Sequence, residues 1–299
     1  MSPPEVSVVI VAYRCADLLA GCLDSLAANR ADADMEVRVV DNASGDGTAT
    51  TARSYGGVDV DVLERNVGFA RANNPALDRS RGRAVLVLNP DTVLPPGSLR
   101  ACLDYLWAHP DIGVLTPRLV DREGRLDRRC RRGFPTLWSS FCYFTGLDRV
   151  LMGPRSRGYT MGHVPDGQVL DVASVSGAFM LMPADAMRRV GGFDEQFFMY
   201  AEDMDLSLRF IAAGYRVVYW PGVDVVHVGA GSNLAGRRPP LANAAYFRTM
   251  APFIRKHRHG MRGTALAATA WAAGEVMLAA TGARRRLRRS GGRRGGPGG

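Results

Sequence analysis

The chain has 299 residues, 46% of them hydrophobic, and a formal net charge of +9, a length that allows one large α/β domain or two small ones with an ample core. From Arg255 onward eleven Arg and Lys residues face Glu275 alone, so the first 254 residues are close to neutral and a nucleic-acid-binding globular domain fails on charge distribution. The five cysteines, Cys15, Cys22, Cys102, Cys130 and Cys142, are odd in number and form no CxxC pair, which argues against a disulfide framework or a structural zinc site and for a reducing compartment.

The opening MSPPEVSVVIVAY has no positive region before its short apolar run, as a signal peptide would, and enters a strand pattern at once. Val6–Tyr13 is nearly continuous in β-branched residues, as expected of a central parallel strand buried on both faces. Leu18, Leu19, Cys22, Leu23 and Leu26 then recur at helical spacing. Glu36–Asp41 reads as a second strand and Thr48–Tyr55 as a helix, then Val58–Leu63 as a third strand and Phe69–Ser80 as a helix beyond the Asn66-Val67-Gly68 loop. Ala84–Asn89 is a fourth strand, ending at Pro90-Asp91. Such alternation calls for a mostly parallel, Rossmann-like α/β sheet with right-handed crossovers. Sheets of this kind bind ligands at the carboxyl ends of their strands, which singles out Tyr13, Asp41 with Asn42, Arg65 with Asn66, and Asn89 with Asp91. The DNASGDGT loop is neither G-x-G-x-x-G nor a P-loop, which disfavours a dinucleotide or ATP site.

Further along, Pro96–His109 is expected to be helical, Gly113–Pro117 a short strand and Asp121–Gly124 a hairpin turn. Residues 125–168 have no clear period but mix Arg128, Arg129, Arg131 and Arg132 with Phe134, Trp138, Phe141, Tyr143 and Phe144, and they read as a substrate-facing lobe. Val169–Val175 and Ala178–Met182 return to strand pattern. Gly191–Phe210 then runs from a glycine-rich turn through an aromatic approach into a helix opened by Glu202, Asp203 and Asp205. Acids suit a helix N-terminus, and Asp205 can pair with Arg209 one turn later. The aromatic approach nevertheless resembles a cleft wall, where Asp203 or Glu202 could serve as the base for a hydroxyl group. Tyr215–Trp220 and Val223–Val228 are strands, the second carrying His227.

Each remaining candidate has a functional and a structural reading. Asp41 can accept the imide N–H of a uracil or thymine ring with Tyr13 lining the other side, or it can close an Asx-turn. Asp91 can ligate a divalent cation holding a diphosphate, Mg²⁺ or Mn²⁺, or simply cap the next element of the chain. His227 can be a core residue or can complete such a metal site.

Taken in order, VSVVIVAY, VVDNASGDGT, NVGFARANN, VLNPD, SGAFMLMPADAMRRVGGFDEQFFMYAEDMDLSLR and His227 resemble the family 2 glycosyltransferases of the GT-A fold, in particular their rhamnosyltransferase-like branch. The resemblance spans roughly residues 5–232, and GGFDE…EDMDL is its most specific part. It implies an inverting, metal-dependent enzyme that moves a sugar from a nucleotide diphosphate donor. Asp41 would bind the base, with Tyr13 and Asn66 beside the nucleoside. Asp91 would be a metal ligand, His227 a second one, Asp203 the general base and Glu202 an aid in orienting the acceptor. Asn89 stands where the family's metal motif often has its first acid, which leaves fewer protein carboxylates for the metal. The expected reaction moves L-rhamnose from dTDP-rhamnose onto a glycan or polyprenyl-diphosphate-linked acceptor in cell-envelope polysaccharide synthesis. UDP-galactofuranose or UDP-N-acetylglucosamine as donor, or a catalytically silent nucleotide-sugar-binding subunit, are the alternatives.

Residues 240–258 read as an amphipathic helix, and Thr264–Ala283 as an Ala-rich segment in which Glu275 argues against spanning a bilayer. The arginine- and glycine-rich end suits anionic lipid headgroups. The expected division is a catalytic domain over 1–239, helices over 240–283 and a disordered tail over 284–299, in a cytoplasmic protein held peripherally at the inner face of the cell membrane.

Overall fold

The β-branched run after Glu5 forms strand β1 (Val6–Ala12), every residue of which is buried, because a central strand covered on both faces leaves no position for a polar side chain facing water. In the computed structural model, residues 3–230 are described apart from 135, 137, 140, 141, 143–146 and 152, together with 240–257 and residues 267, 272 and 275. Two units separate: Met1–Phe198 with Glu202–Ser232, and Met199–Ala201 with Asn233–Gly299.

The first unit begins as four parallel strands, β1, β2 (Met35–Asp41), β3 (Val58–Val62) and β4 (Ala84–Leu88), in the spatial order β3-β2-β1-β4. They are linked by helices α1 (Ala16–Asn29), α2 (Thr48–Arg53) and α3 (Phe69–Asp78). After β5 (Thr92–Val93) and α4 (Ser98–Ala108), the longer β6 (Ile112–Val120) and the distant β10 (Phe179–Pro183) extend the sheet, β10 lying antiparallel between β4 and β6. The sheet is thus mixed beyond its first four strands. Between β6 and β10 run β7 (Arg131–Arg132), the short helix α5 (Pro154–Arg157), β8 (Leu170–Asp171) and β9 (Ser174–Val175), with β7 and β9 pairing as a separate two-stranded ribbon. Helix α6 (Ala184–Val190), absent from the pattern reading, precedes α7 (Glu202–Ala212).

The two terminal strands expected over 215–228 are one strand, β11 (Arg216–His227), parallel to β6 and slipped in register between Trp220 and Asp224. Its far end pairs antiparallel with β5, setting His227 opposite Thr92, and the Val228 N–H donates to the Asp91 carbonyl at 2.8 Å. The Asn66 loop closes on Gly68, which adopts φ +88°. In the second unit, α8 (Pro240–His257) buries Met250, Ala251 and Phe253. The expectations for Thr264–Ala283, apart from residues 267, 272 and 275, and for the tail lie outside the described residues, as do Phe141, Tyr143 and Phe144 of the expected lobe. Among the described residues no helix is long and apolar enough to cross a membrane.

Gly68 is a position where only glycine fits. An added Cβ would lie 2.4 Å from the Phe198 carbonyl oxygen in a left-handed backbone conformation. Gly68→Ala is expected to cost about 1–3 kcal/mol of stability, read as a fall in Tm; a Tm equal to wild type would show that the loop relaxes without penalty.

Candidate active site

The carboxyl ends of β1, β2 and β4 and the start of α7 carry the residues the sequence singled out. Asp41 is the last residue of β2 and is buried; its Oδ1 accepts the Ser44 N–H at 3.0 Å. The bond spans three residues rather than the two of an Asx-turn, and it orients the carboxylate within its own loop. Tyr13 follows β1 and is half exposed, with the Arg14 guanidinium 5.3 Å from its ring centre. Asn66 Oδ1 accepts the Gly68 N–H at 3.0 Å and the Asn42 amide at 3.1 Å, while Asn42 Oδ1 accepts the Val67 N–H at 2.9 Å. Two side-chain amides thus build the loop that Gly68 turns. The sequence marks Asn42 only by its position after β2; the chemistry of its amide comes from the fold.

The pairing of β5 with β11 brings Asp91 and His227 together, with His227 Nε2 3.3 Å from Asp91 Oδ1. That oxygen is buried and makes no well-formed hydrogen bond. On the other side of the ring, His227 Nδ1 lies 2.9 Å from Asp127 Oδ2, and Asp127 Oδ1 accepts from Arg129 Nε at 3.0 Å. Burial works against a charged imidazole, but the hydrogen bonds to Asp127 and Asp91 outweigh it and raise His227 to about 9. Burial likewise opposes both carboxylates, yet the His227 contact pulls Asp91 down and, with Arg129, pulls Asp127 far below the usual range. Asp127 is not marked in the sequence, because a single acid in a run of arginines has no periodicity to distinguish it.

A buried carboxylate facing an imidazole whose second nitrogen is held by another carboxylate fits a divalent cation. Such a cation would displace the proton between His227 Nε2 and Asp91, with Asp127 holding the ring in direction. Among the described residues no group of three or more His, Cys, Asp and Glu side chains is placed to hold a metal.

The acidic helix divides its labour. Asp205 is fully buried, and its Oδ2 accepts from Arg209 Nε at 2.8 Å, as the one-turn pairing predicted. Arg209 also donates to the carbonyls of Val190, Gly191 and Gly192, tying the glycine turn to the helix. Asp203 Oδ2 accepts from Arg132 Nη2 at 2.5 Å and from the Gly177 N–H at 3.1 Å, and its Oδ1 accepts the Met204 N–H at 2.8 Å. Arg132, on β7, is buried, and the same Nη2 donates to the Val175 carbonyl while Tyr159 is a further partner. The sequence placed Arg132 in an aromatic, basic lobe but could not show that its charge points inward. Glu202 is buried beside them and its Oε2 makes no hydrogen bond. Burial first, and then the neighbouring Asp203 charge, raise Glu202 to about 8, and the carboxylate paired with Arg132 is that of Asp203.

The same fold appears in a mannosyltransferase from Pyrobaculum calidifontis solved with GDP-Man and Mn²⁺, at a TM-score of 0.59 and 21% identity over 96% of this chain and 81% of that one. The architecture is therefore that of a GT-A glycosyltransferase. A sequence profile described as Glycosyl transferase family 2 matches residues 7–161. Over 243 residues, 76% of this chain and 76% of the relative, the chain is 32% identical to a Mycobacterium tuberculosis protein named N-acetylglucosaminyl-diphospho-decaprenol L-rhamnosyltransferase. It is 27% identical over 237 residues, 76% of this chain and 85% of the relative, to rhamnosyltransferase WbbL of Escherichia coli. The chain belongs to glycosyl transferase family 2, with rhamnosyltransferases among its relatives.

The raised Glu202 has a consequence for stability. The unfolded side chain titrates near 4.5 and the folded one near 8, so the folded state holds the extra proton between those values. Its contribution is complete below 4.5 and is lost as pH rises through 8. Glu202→Gln, which cannot ionise, is expected to gain Tm relative to wild type as pH goes from 5 to 8.5. A difference between the two proteins that stays constant with pH would contradict the assignment.

Proposed function

We propose that this transferase is an inverting, metal-dependent rhamnosyltransferase. In this reading it moves L-rhamnose from dTDP-rhamnose onto a hydroxyl of a polyprenyl-diphosphate-linked glycan in cell-envelope synthesis, working peripherally at the inner face of the membrane. The rhamnosyl donor and the lipid-linked acceptor are supported by the names of the relatives from Mycobacterium tuberculosis and Escherichia coli. The mechanism rests on the Arg132–Asp203 pair beside Glu202. Burial and its neighbour push Glu202 toward its protonated form, and Asp203 is the carboxylate held in direction by Arg132, which supports Asp203 as the proton acceptor.

In this reading Asp203 takes the proton of the acceptor hydroxyl. The oxygen then attacks the anomeric carbon from the face opposite the nucleotide, the bond to the diphosphate breaks and the configuration inverts. Glu202 donates a hydrogen bond to an acceptor oxygen through its retained proton. Asp41, Tyr13 and Asn66 form the nucleoside end of the site, Asp41 taking the imide N–H of the base. Asp91 and His227 would hold a divalent cation, Mg²⁺ or Mn²⁺, which when bound offsets the negative charge that develops on the leaving diphosphate.

Two substitutions separate the parts. Asp203→Asn is expected to lower kcat by about 10²–10⁴ while dTDP-rhamnose with Mn²⁺ still raises Tm as it does for the wild type; wild-type turnover in this variant would end the base assignment. Asp127→Asn is expected to weaken Mn²⁺ binding about 10–100-fold, read by titration of the nucleotide-bound protein. Unchanged Mn²⁺ affinity would mean that the Asp127 contact does not orient His227 for the metal.

A further inference from the structure

Large apolar side chains are unevenly exposed on this molecule. Of the eleven exposed among the described residues, Phe134, Trp138, Leu147, Val150 and Leu151 lie within one stretch, with Val150 at 75% and Trp138 at 50% exposure. The others are scattered from Tyr13 to Ile211. Scattered exposed side chains are ordinary, and Phe134 and Trp138 differ from them in sharing the wall of one cavity.

The patch has a cavity and an address. Phe134, Thr136, Trp138, Ser139, Pro154, Arg155 and Gly158 line a space of about 510 Å³. Two of its wall residues sit next to the grip on Asp203. Phe134 is two residues from Arg132, at most about 7 Å of chain. Gly158 precedes Tyr159, the other partner of the Arg132 guanidinium. The two wall segments are also joined to each other, since the Gly133 N–H donates to the Tyr159 carbonyl at 3.1 Å and a Cβ on Gly133 would meet the Gly158 oxygen at 2.3 Å. The lobe is anchored beneath by buried Asp148, which accepts from Arg128 Nη2 and whose carbonyl accepts from Arg157 Nε at 2.9 Å.

We propose that this pocket seats the lipid end of the acceptor, an isoprenoid chain lying against Phe134 and Trp138 with its diphosphate beside Arg155. This placement rests on the lipid-linked acceptor of the proposed function and adds where that lipid goes. An acceptor whose hydroxyl reaches Asp203 needs, in order, a site for a sugar, a cation for a diphosphate and an apolar surface. Arg132 ties Asp203 to the β7 end that leads into Phe134, and Arg155 shares the pocket wall with Phe134 and Trp138. Aromatic rings offer broad apolar area to an aliphatic chain at small entropic cost, and a guanidinium fork matches diphosphate oxygens.

The test uses the full chain, as wild type and as the Phe134→Ala/Trp138→Ala variant. Binding of geranylgeranyl diphosphate is measured by calorimetric titration, with inorganic diphosphate as the control. Turnover is measured with N-acetylglucosaminyl-diphospho-decaprenol and with the same head group on a six-carbon alkyl chain. The variant is expected to bind geranylgeranyl diphosphate at least tenfold more weakly and inorganic diphosphate within twofold of wild type. Its KM should rise at least tenfold for the decaprenyl acceptor and stay within twofold for the short one, with kcat unchanged. No binding of geranylgeranyl diphosphate by the wild type, equal binding by wild type and variant, or an equal loss for both acceptors would overturn the proposal. Should the wild type bind geranylgeranyl diphosphate in a manner that depends on Phe134 and Trp138 yet turn over neither acceptor, the lipid pocket stands and the rhamnosyl transfer of the proposed function is wrong.

Discussion

The active side of this protein depends on a buried arginine. Placing a guanidinium out of water costs several kcal/mol unless its charge is met, and Arg132 meets it with the Asp203 carboxylate, the Val175 carbonyl and the Tyr159 phenol, while its Nε is left without a hydrogen-bond partner. A pair of this kind adds little net stability, since apolar residues of similar volume would often do as well. Its contribution is direction. The carboxylate that balances Arg132 is Asp203, so the α7 N-terminus, the β7–β9 ribbon and the Ser176-Gly177 turn are held in one arrangement. A second charge on Glu202 beside the Arg132–Asp203 pair is unfavourable, and burial together with that neighbour pushes the Glu202 carboxyl up.

The metal side obeys a parallel logic with a different residue at its centre. His227 stands between Asp91 and Asp127, and strand pairing rather than side-chain chemistry brings them together. The β5–β11 contact is only two residues long, yet it carries both an acid and an imidazole to the same end of the sheet. Asp41, Asp91 and His227 thus all lie at strand ends of one sheet, the edge at which open α/β sheets take their ligands.

Much of this was legible in the sequence because it is local. The β-branched run of β1, the helical spacing of Leu19, Cys22, Leu23 and Leu26, and the Asp205–Arg209 turn each depend on neighbours a few residues away. Residues at strand ends were legible too, since topology alone sends Asp41 and Asp91 to the ligand edge. Contact at long range could not be read. Asp127 meets His227 across 100 residues and Arg132 meets Asp203 across 71, and no spacing rule encodes such partners. The pattern also split β11 in two, because Pro221 and Gly222 punctuate a strand that the fold carries through by slipping its register. Helix α6 was missed because its seven residues come directly after a strand without a turn signal between them.

The slipped register of β11 separates two jobs within one strand. Before Trp220, pairing with β6 sets the strand in the core; after Asp224, pairing resumes with three residues left unmatched between. The position of His227 is consequently set by its partner Thr92 and not by counting from Arg216. A change in the length of the 221–223 segment would therefore be absorbed at the bulge, leaving His227 opposite Thr92.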